Sequence, residues 1–249
     1  MPQQLCAIDL PGKSLYDKEF SVQIRKITPI EQKYILSLSQ KEQKTNRDYI
    51  EFLKKLVIFD NPQMRFEDLY WYDVQYILYK IRFITYEKYP LKMSFKCANI
   101  LDDGEPCGEK ILQELKIGEL DILTPEDVPD LKQEIELENL GPVKIRCKTM
   151  QDDITIDDFI KKNKLPDNDY QMRLLLLDLA LISTNYPIDE LYKYASDGTI
   201  TAQDIIVIEE WFKNTIWGVK EQMKVKCPKC GKETLREYVL GLEDFFSAV

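Results

Sequence analysis

The sequence predicts a mainly helical α+β fold: helical blocks joined through a small β element that carries paired cysteines. Three observations predict it. Apolar residues recur at helical spacing over residues 28–40, 47–59, 67–86, 168–184, 187–195 and 202–219. Residues 89–150 instead hold short alternating patches broken by Pro and Gly. Cysteines flank the second helical block, with Cys97 and Cys107 before it and Cys227 and Cys230 after it. Three segments follow. Residues 1–90 form a strand plus a helical block. Residues 91–166 form an acidic β-containing insert with the first cysteine pair. Residues 167–249 form a helical block that ends in the second pair and a Phe-Phe tail.

Leu10-Pro11-Gly12-Lys13 reads as a turn, and Phe20, Val22 and Ile24 alternate with polar residues as a short strand. Thr28-Pro29-Ile30-Glu31 starts a helix: Thr caps, Pro suits the first turn, and Glu31 reaches back as a capping box. Arg47 to Phe59 continues as helix until Asn61-Pro62 breaks it. The helix from Glu67 to Tyr86 carries an aromatic stripe, including Tyr72, Tyr76 and Tyr79, which reads as core rather than as a ligand cage. Leu91, Met93 and Phe95 alternate before Cys97, and Val143, Ile145 and Cys147 alternate after Gly141-Pro142. Helix returns after Pro166, stops at Asp197-Gly198, and restarts at Thr201 with Asp204. A hairpin begins at Val225. The terminal Leu242–Phe246 is either a docking tail or a segment packed back on its own chain.

Composition removes several function classes. With 44% apolar and 31% charged residues the chain is an ordinary globular one with enough length for a core. It has no histidine, which excludes Ser-His-Asp and Cys-His nucleophilic sites, His-ligated catalytic zinc and His-ligated haem. The net charge is −9, and residues 101–160 alone carry 17 acidic and 6 basic side chains, a net of −11, which leaves about +2 elsewhere. That distribution gives no massed basic face for a nucleic-acid duplex. The start of the chain lacks the basic and apolar regions of a signal peptide, and Leu174–Ile182 is far short of the ~20 apolar residues of a membrane span. A soluble protein made in a cytoplasm is expected.

The chemistry-bearing pattern is Cys227-Pro228-Lys229-Cys230-Gly231. Two thiolates separated by two residues fit adjacent corners of a tetrahedron, and Gly after the second lets the backbone turn tightly. Cys97 and Cys107 stand nine residues apart, with Cys107-Gly108 repeating the Cys-Gly step and strand-like residues before Cys97. Nine residues is longer than the usual knuckle spacing. Two such arms, each donating two sulfurs, make a four-cysteine zinc site in a zinc-ribbon-like element. Its ligands are Cys97, Cys107, Cys227 and Cys230, and its Zn2+ is structural because no coordination position stays open. The alternatives are four unrelated thiols or a Cys227/Cys230 redox pair; Gly231-Lys232-Glu233-Thr234 does not resemble the helix start that such a pair needs. Cys147 reads as a small buried apolar residue, and Cys6 is left over.

Two patterns mislead. Gly12-Lys13-Ser14 resembles the end of a phosphate-binding loop, but the first glycine of that motif would stand at Ala7. Asp102-Asp103, Asp152-Asp153 and Asp157-Asp158 suggest acid–base or magnesium chemistry; without a nucleotide motif they read as solvated loop residues.

The order of features also carries a resemblance. Leu10 to Tyr16 near the N-terminus, Ile24 to Glu31, Asp68-Leu69 with Asp73, and Lys80 to Tyr86 run straight into a cysteine-bearing segment. This is similar to the T4-type bacteriophage baseplate hub family over about residues 8–160. The resemblance implies a small tail protein with no catalytic residues, built into the baseplate hub or acting in its assembly. Expected partners are other phage baseplate or tail proteins, without a small-molecule substrate. Expected locations are the host cytoplasm during assembly and the virion tail baseplate. The competing reading is a zinc-ribbon nucleic-acid or transcription-associated protein, favoured by Lys224, Lys226, Lys229 and Lys232 and opposed by the acidic insert.

Overall fold

The aromatic stripe of the third predicted helix forms the centre of the molecule. The computed structural model describes residues 5–39, 46–116, 120–128, 131, 134–166, 170–182, 186–238, 240 and 245–246. The N-terminal part contains β1 (Leu5–Ile8), β2 (Val22–Arg25), α1 (Pro29–Ser39), α2 (Asn46–Leu53), β3 (Val57–Phe59) and α3 (Trp71–Thr85). The middle contains β4 (Leu91–Lys96), β5 (Lys110–Leu115), β6 (Ile122–Leu123), β7 (Glu134–Leu137), β8 (Gly141–Lys144) and α4 (Met150–Asn163). The C-terminal part contains α5 (Tyr170–Leu181), α6 (Ile188–Asp197), α7 (Ala202–Asn214), β9 (Gly218–Val219), β10 (Gln222–Lys226) and β11 (Glu233–Glu237). The fold is mixed α+β. The strands make one antiparallel sheet in the order β1-β2-β3 and four two-stranded pairs: β4-β5, β6-β9, β7-β8 and β10-β11. Among the described residues no helix is long and apolar enough to cross a membrane.

Helix α3 is buried on almost every side, from Tyr72, Val74 and Ile77 to Ile81 and Arg82, as expected of a central helix. Its apolar residues join those of β2, α1 and α2 in the main core, which also takes in Leu91, Leu115, Val219 and Phe246. The capping box at the start of α1 forms as its sequence implies. The Thr28 amide donates to Glu31 Oε2 at 2.9 Å, and Arg25 clamps the same carboxylate with contacts of 2.9 and 2.6 Å. The Leu10–Tyr16 turn grips α3: the Gly12 amide and the Tyr16 hydroxyl donate to Asp73 at 2.9 and 2.7 Å, and Tyr16 accepts from the Tyr70 amide at 3.0 Å. A Cβ at Gly12 would lie 2.1 Å from the Trp217 ring, so only glycine fits there.

Five expectations need correction. The helix expected over 47–59 ends at Leu53, because Val57 pairs with Ile24 and carries the chain into β3. Residues 66–68 form a separate 3-10 turn, and α3 begins at Trp71. The last long helix stops at Asn214, and Gly218-Val219 pairs with β6 instead. Helix α4 occupies residues read as part of the β-containing insert. Its Asp152, Asp153 and Asp157 are buried rather than solvated: Arg146 meets Asp152 at 2.6 Å, Lys148 meets Asp153 at 3.0 Å, and Arg173 meets Asp157 at 2.8 Å. Asp158 is exposed and pairs with Arg47 of α2 at 2.8 Å. Asp102 and Asp103 are exposed loop residues, as read.

The Phe-Phe tail packs back. Phe245 and Phe246 are both buried; Phe245 meets the Tyr79 ring edge-on at 4.8 Å, and the Phe246 carbonyl accepts from Tyr86 Oη and Gln32 Nε2. Leu242, Glu243 and Asp244 lie outside the described residues.

Candidate metal centre

Two hairpins deliver the four sulfurs. Strands β4 and β5 pair from Leu91–Leu115 to Lys96–Lys110, so their loop end presents Cys97 and the residues before Lys110. Strands β10 and β11 pair from Gln222–Glu237 to Lys226–Glu233, so their loop end presents Cys227 and Cys230. The nine-residue spacing between Cys97 and Cys107 is absorbed by a smaller hairpin. The Leu101 amide donates to the Glu105 carbonyl at 2.8 Å, Ile100 bridges to Pro106, and the Cys107 amide donates to the Asn99 carbonyl at 2.7 Å. Asp103-Gly104 makes that turn, with Gly104 at φ 85. The long loop therefore brings its two cysteines as close together as a short knuckle does.

The two arms end alike. Gly108 and Gly231, each following the second cysteine of its arm, have φ of 63 and 71, a left-handed conformation that suits glycine. The amide two residues on donates to the sulfur in three cases: Asn99 to Cys97, Glu109 to Cys107 and Lys229 to Cys227. Asn99 also donates its side-chain amide to Cys230 Sγ at 3.7 Å.

All four sulfurs lie within 4.8 Å of one another. Cys97–Cys230 and Cys107–Cys227 are each 3.7 Å apart, far beyond a disulfide bond. Sulfurs around a tetrahedral zinc with bonds of about 2.3 Å are separated by about 3.8 Å. Cys97, Cys107 and Cys227 are buried and Cys230 is half-buried, beside Ile111 and Val225. Among the described residues this is the one group of three or more ligating side chains that converges.

The neighbouring thiols favour ionisation of Cys227 and oppose that of Cys107. Amides of Cys230 and Lys229 draw the Cys227 thiol down to about 7. The Glu109 amide lowers the Cys107 thiol, but burial and the neighbouring Cys227 and Cys230 outweigh it and push that thiol up to about 12. Four thiolates need a cation among them to share this space, and a soft divalent ion supplies one. The donor set and its spacing thus fit zinc.

The remaining cysteines stand elsewhere. Cys147 is buried in the second core beside α5 and α7, where burial raises its thiol, and Cys6 is exposed on β1. Sequence reading did not reveal Asn99 as a neighbour of Cys230. The Asp103-Gly104 turn was the available signal that the upstream loop folds on itself.

The comparisons with known proteins extend beyond this centre. A family profile described as T4 bacteriophage base plate protein matches residues 6–247, nearly the whole chain and well beyond the motifs of the N-terminal half. No curated protein and no solved structure matches. The matched span takes in both cysteine hairpins and the helices between them, and the chain accordingly belongs to the T4 bacteriophage base plate protein family, a structural component of the phage baseplate.

Proposed function

We propose that the protein is a non-enzymatic structural or assembly component of the baseplate hub, acting through protein–protein contacts and stapled by one zinc ion. The ligands in this reading are Cys97, Cys107, Cys227 and Cys230. The observation that carries it is the convergence of four sulfurs from two hairpins far apart in sequence, with Cys107 and Cys227 separated by 120 positions. A zinc ion bound by four thiolates supplies folding energy and fixed geometry, with no open position for substrate. Segments 1–90, 91–166 and 167–249 then form one interdependent unit, because the ion ties residues 97–107 to 227–230.

Charge supports a structural ion over a nucleic-acid contact. Four thiolates and one Zn2+ sum to about −2. Lys96, Lys110, Lys226, Lys229 and Lys232 stand at the hairpin ends or in the knuckle, and Lys96 Cε lies near Gly108. These lysines offset the charge of the ion site, which accounts for Lys226, Lys229 and Lys232 among the basic residues that favoured a zinc-ribbon nucleic-acid reading.

Mass spectrometry of purified virions beside infected-cell lysate tests the assignment. The chain is expected in virions if it is a hub part, or only in assembly intermediates if it is an assembly factor. Its absence from both, together with tight and steeply salt-dependent DNA binding, contradicts the proposal.

A further inference from the structure

The N-terminal sheet ends on an unguarded edge. Strand β1 pairs with β2 on one side and with no strand on the other among the described residues. Its four residues, Leu5 to Ile8, carry no charge, and Leu5, Cys6 and Ala7 are all exposed. Open strand edges are ordinarily blunted by charge, proline or a covering element. The opposite edge has such guards, since β3 follows Lys54-Lys55 and stops before Asp60.

The register shows which face of the edge is unfinished. Cys6, Ile24 and Val57 stand opposite one another across the sheet, so they project from the same face. Ile24 is 0% exposed and Val57 6%, yet Cys6 is exposed. The next row on that face, Ile8, Val22 and Phe59, packs against the main core throughout. The core layer therefore lines this face of the sheet and gives out at Cys6. We infer that a second copy of this chain covers the edge: the two β1 strands pair antiparallel about a two-fold axis and join two three-stranded sheets into one of six. The inference goes beyond the hub role and does not depend on the zinc ion.

Three features select a second copy. A two-fold axis perpendicular to the sheet preserves its faces, so the two core layers meet on the same side and continue across the joint over Cys6. Opposed residues must also project from one face, so identical antiparallel strands can centre on a residue but not between two. Centring on Cys6 sets Cys6 against Cys6 and Leu5 against Ala7, all uncharged, and leaves Asp9 outside these pairs. Centring on Ala7 would oppose Leu5 to Asp9. Finally, the β1–β1 contact is closed. Pairing β1 with the β3 of another copy would run on as a filament, and the charges flanking β3 oppose that.

Two readouts on the purified full chain test this. Directly opposed residues of antiparallel strands have Cα atoms about 4.5–5.5 Å apart, within the span of a disulfide. Mild copper–phenanthroline oxidation is expected to link two chains through Cys6, identified by mass spectrometry, and to give no such link in Cys6→Ser. Under reducing conditions, sedimentation equilibrium is expected to show monomer and dimer in exchange, because the ladder is short. Cys6→Lys and Cys6→Glu each oppose like charges across the axis, so each should self-associate less than the wild type. Mixed, they should form a heterodimer about five-fold or more tighter than either homodimer. Dilute Cys6→Lys should melt as the wild type does, because Cys6 is exposed in the single chain. A wild-type chain that stays monomeric at every concentration and forms no link through Cys6 overturns the inference and leaves the edge to a strand of another baseplate protein. Filaments in place of dimers, equal association of mixed and unmixed variants, or early melting of dilute Cys6→Lys would overturn it too.

Discussion

Asp73 shows how one residue holds two distant parts of the chain. It is fully buried, it receives bonds from Gly12 and Tyr16, and burial raises its carboxyl to about 6 against those bonds. The folded chain keeps a proton that the unfolded chain has already lost. This contribution is full below about pH 4 and is lost as pH rises through about 6, a change of roughly 3 kcal/mol. Asp73→Asn cannot titrate, so its melting temperature should gain on that of the wild type between pH 4.5 and pH 8. Parallel melting curves across that range would contradict the account. Asp73 lies within the helix read from the sequence, but its partners, 57 and 61 residues away, are set by tertiary structure.

Among the helices, α4 is the one the sequence hid. Its paired aspartates look like a solvated loop because their cations lie outside it, on Arg146 and Lys148 just before it, Arg173 of α5 and Arg47 of α2. Asp152 accepts from Arg146 at 2.6 and 2.8 Å and also caps the helix by accepting from the Thr149 amide at 2.8 Å. Asp152→Asn keeps a cap oxygen and removes the charge, at an expected cost of about 2–3 kcal/mol in urea unfolding. Adding Arg146→Met should cost little more, giving a coupling above about 1 kcal/mol; simple additivity would show that the pair contributes nothing. Capping signals were more legible than charge pairs. Thr28-x-x-Glu31 and Thr201-x-x-Asp204 depend on neighbours in sequence, and both caps form.

At the scale of the whole molecule, the tail and the cysteines decide how the chain closes on itself. Phe246 is fully buried against Phe52, at 5.9 Å between ring centres. Phe246→Ala is expected to cost about 3–5 kcal/mol, as a core truncation does; a change below about 0.5 kcal/mol would fit a free docking tail instead. The α+β class and the four-cysteine cluster were legible because cysteine spacing, Cys-Gly steps and flanking strands are local signals, whereas the strand content exceeds the small β element read from the sequence. The strand pairings of β3 with β2 and β9 with β6 were not, since two- and three-residue strands owe their state to partners far along the chain.

The most direct test is metal content together with thermal melting of the purified chain, before and after chelation and for Cys227→Ser. One zinc per chain, a sharp fall in melting temperature on chelation, and loss of both metal and stability in Cys227→Ser are the results expected. A metal-free wild-type chain whose melting is unchanged by chelator and by Cys227→Ser would contradict the zinc staple.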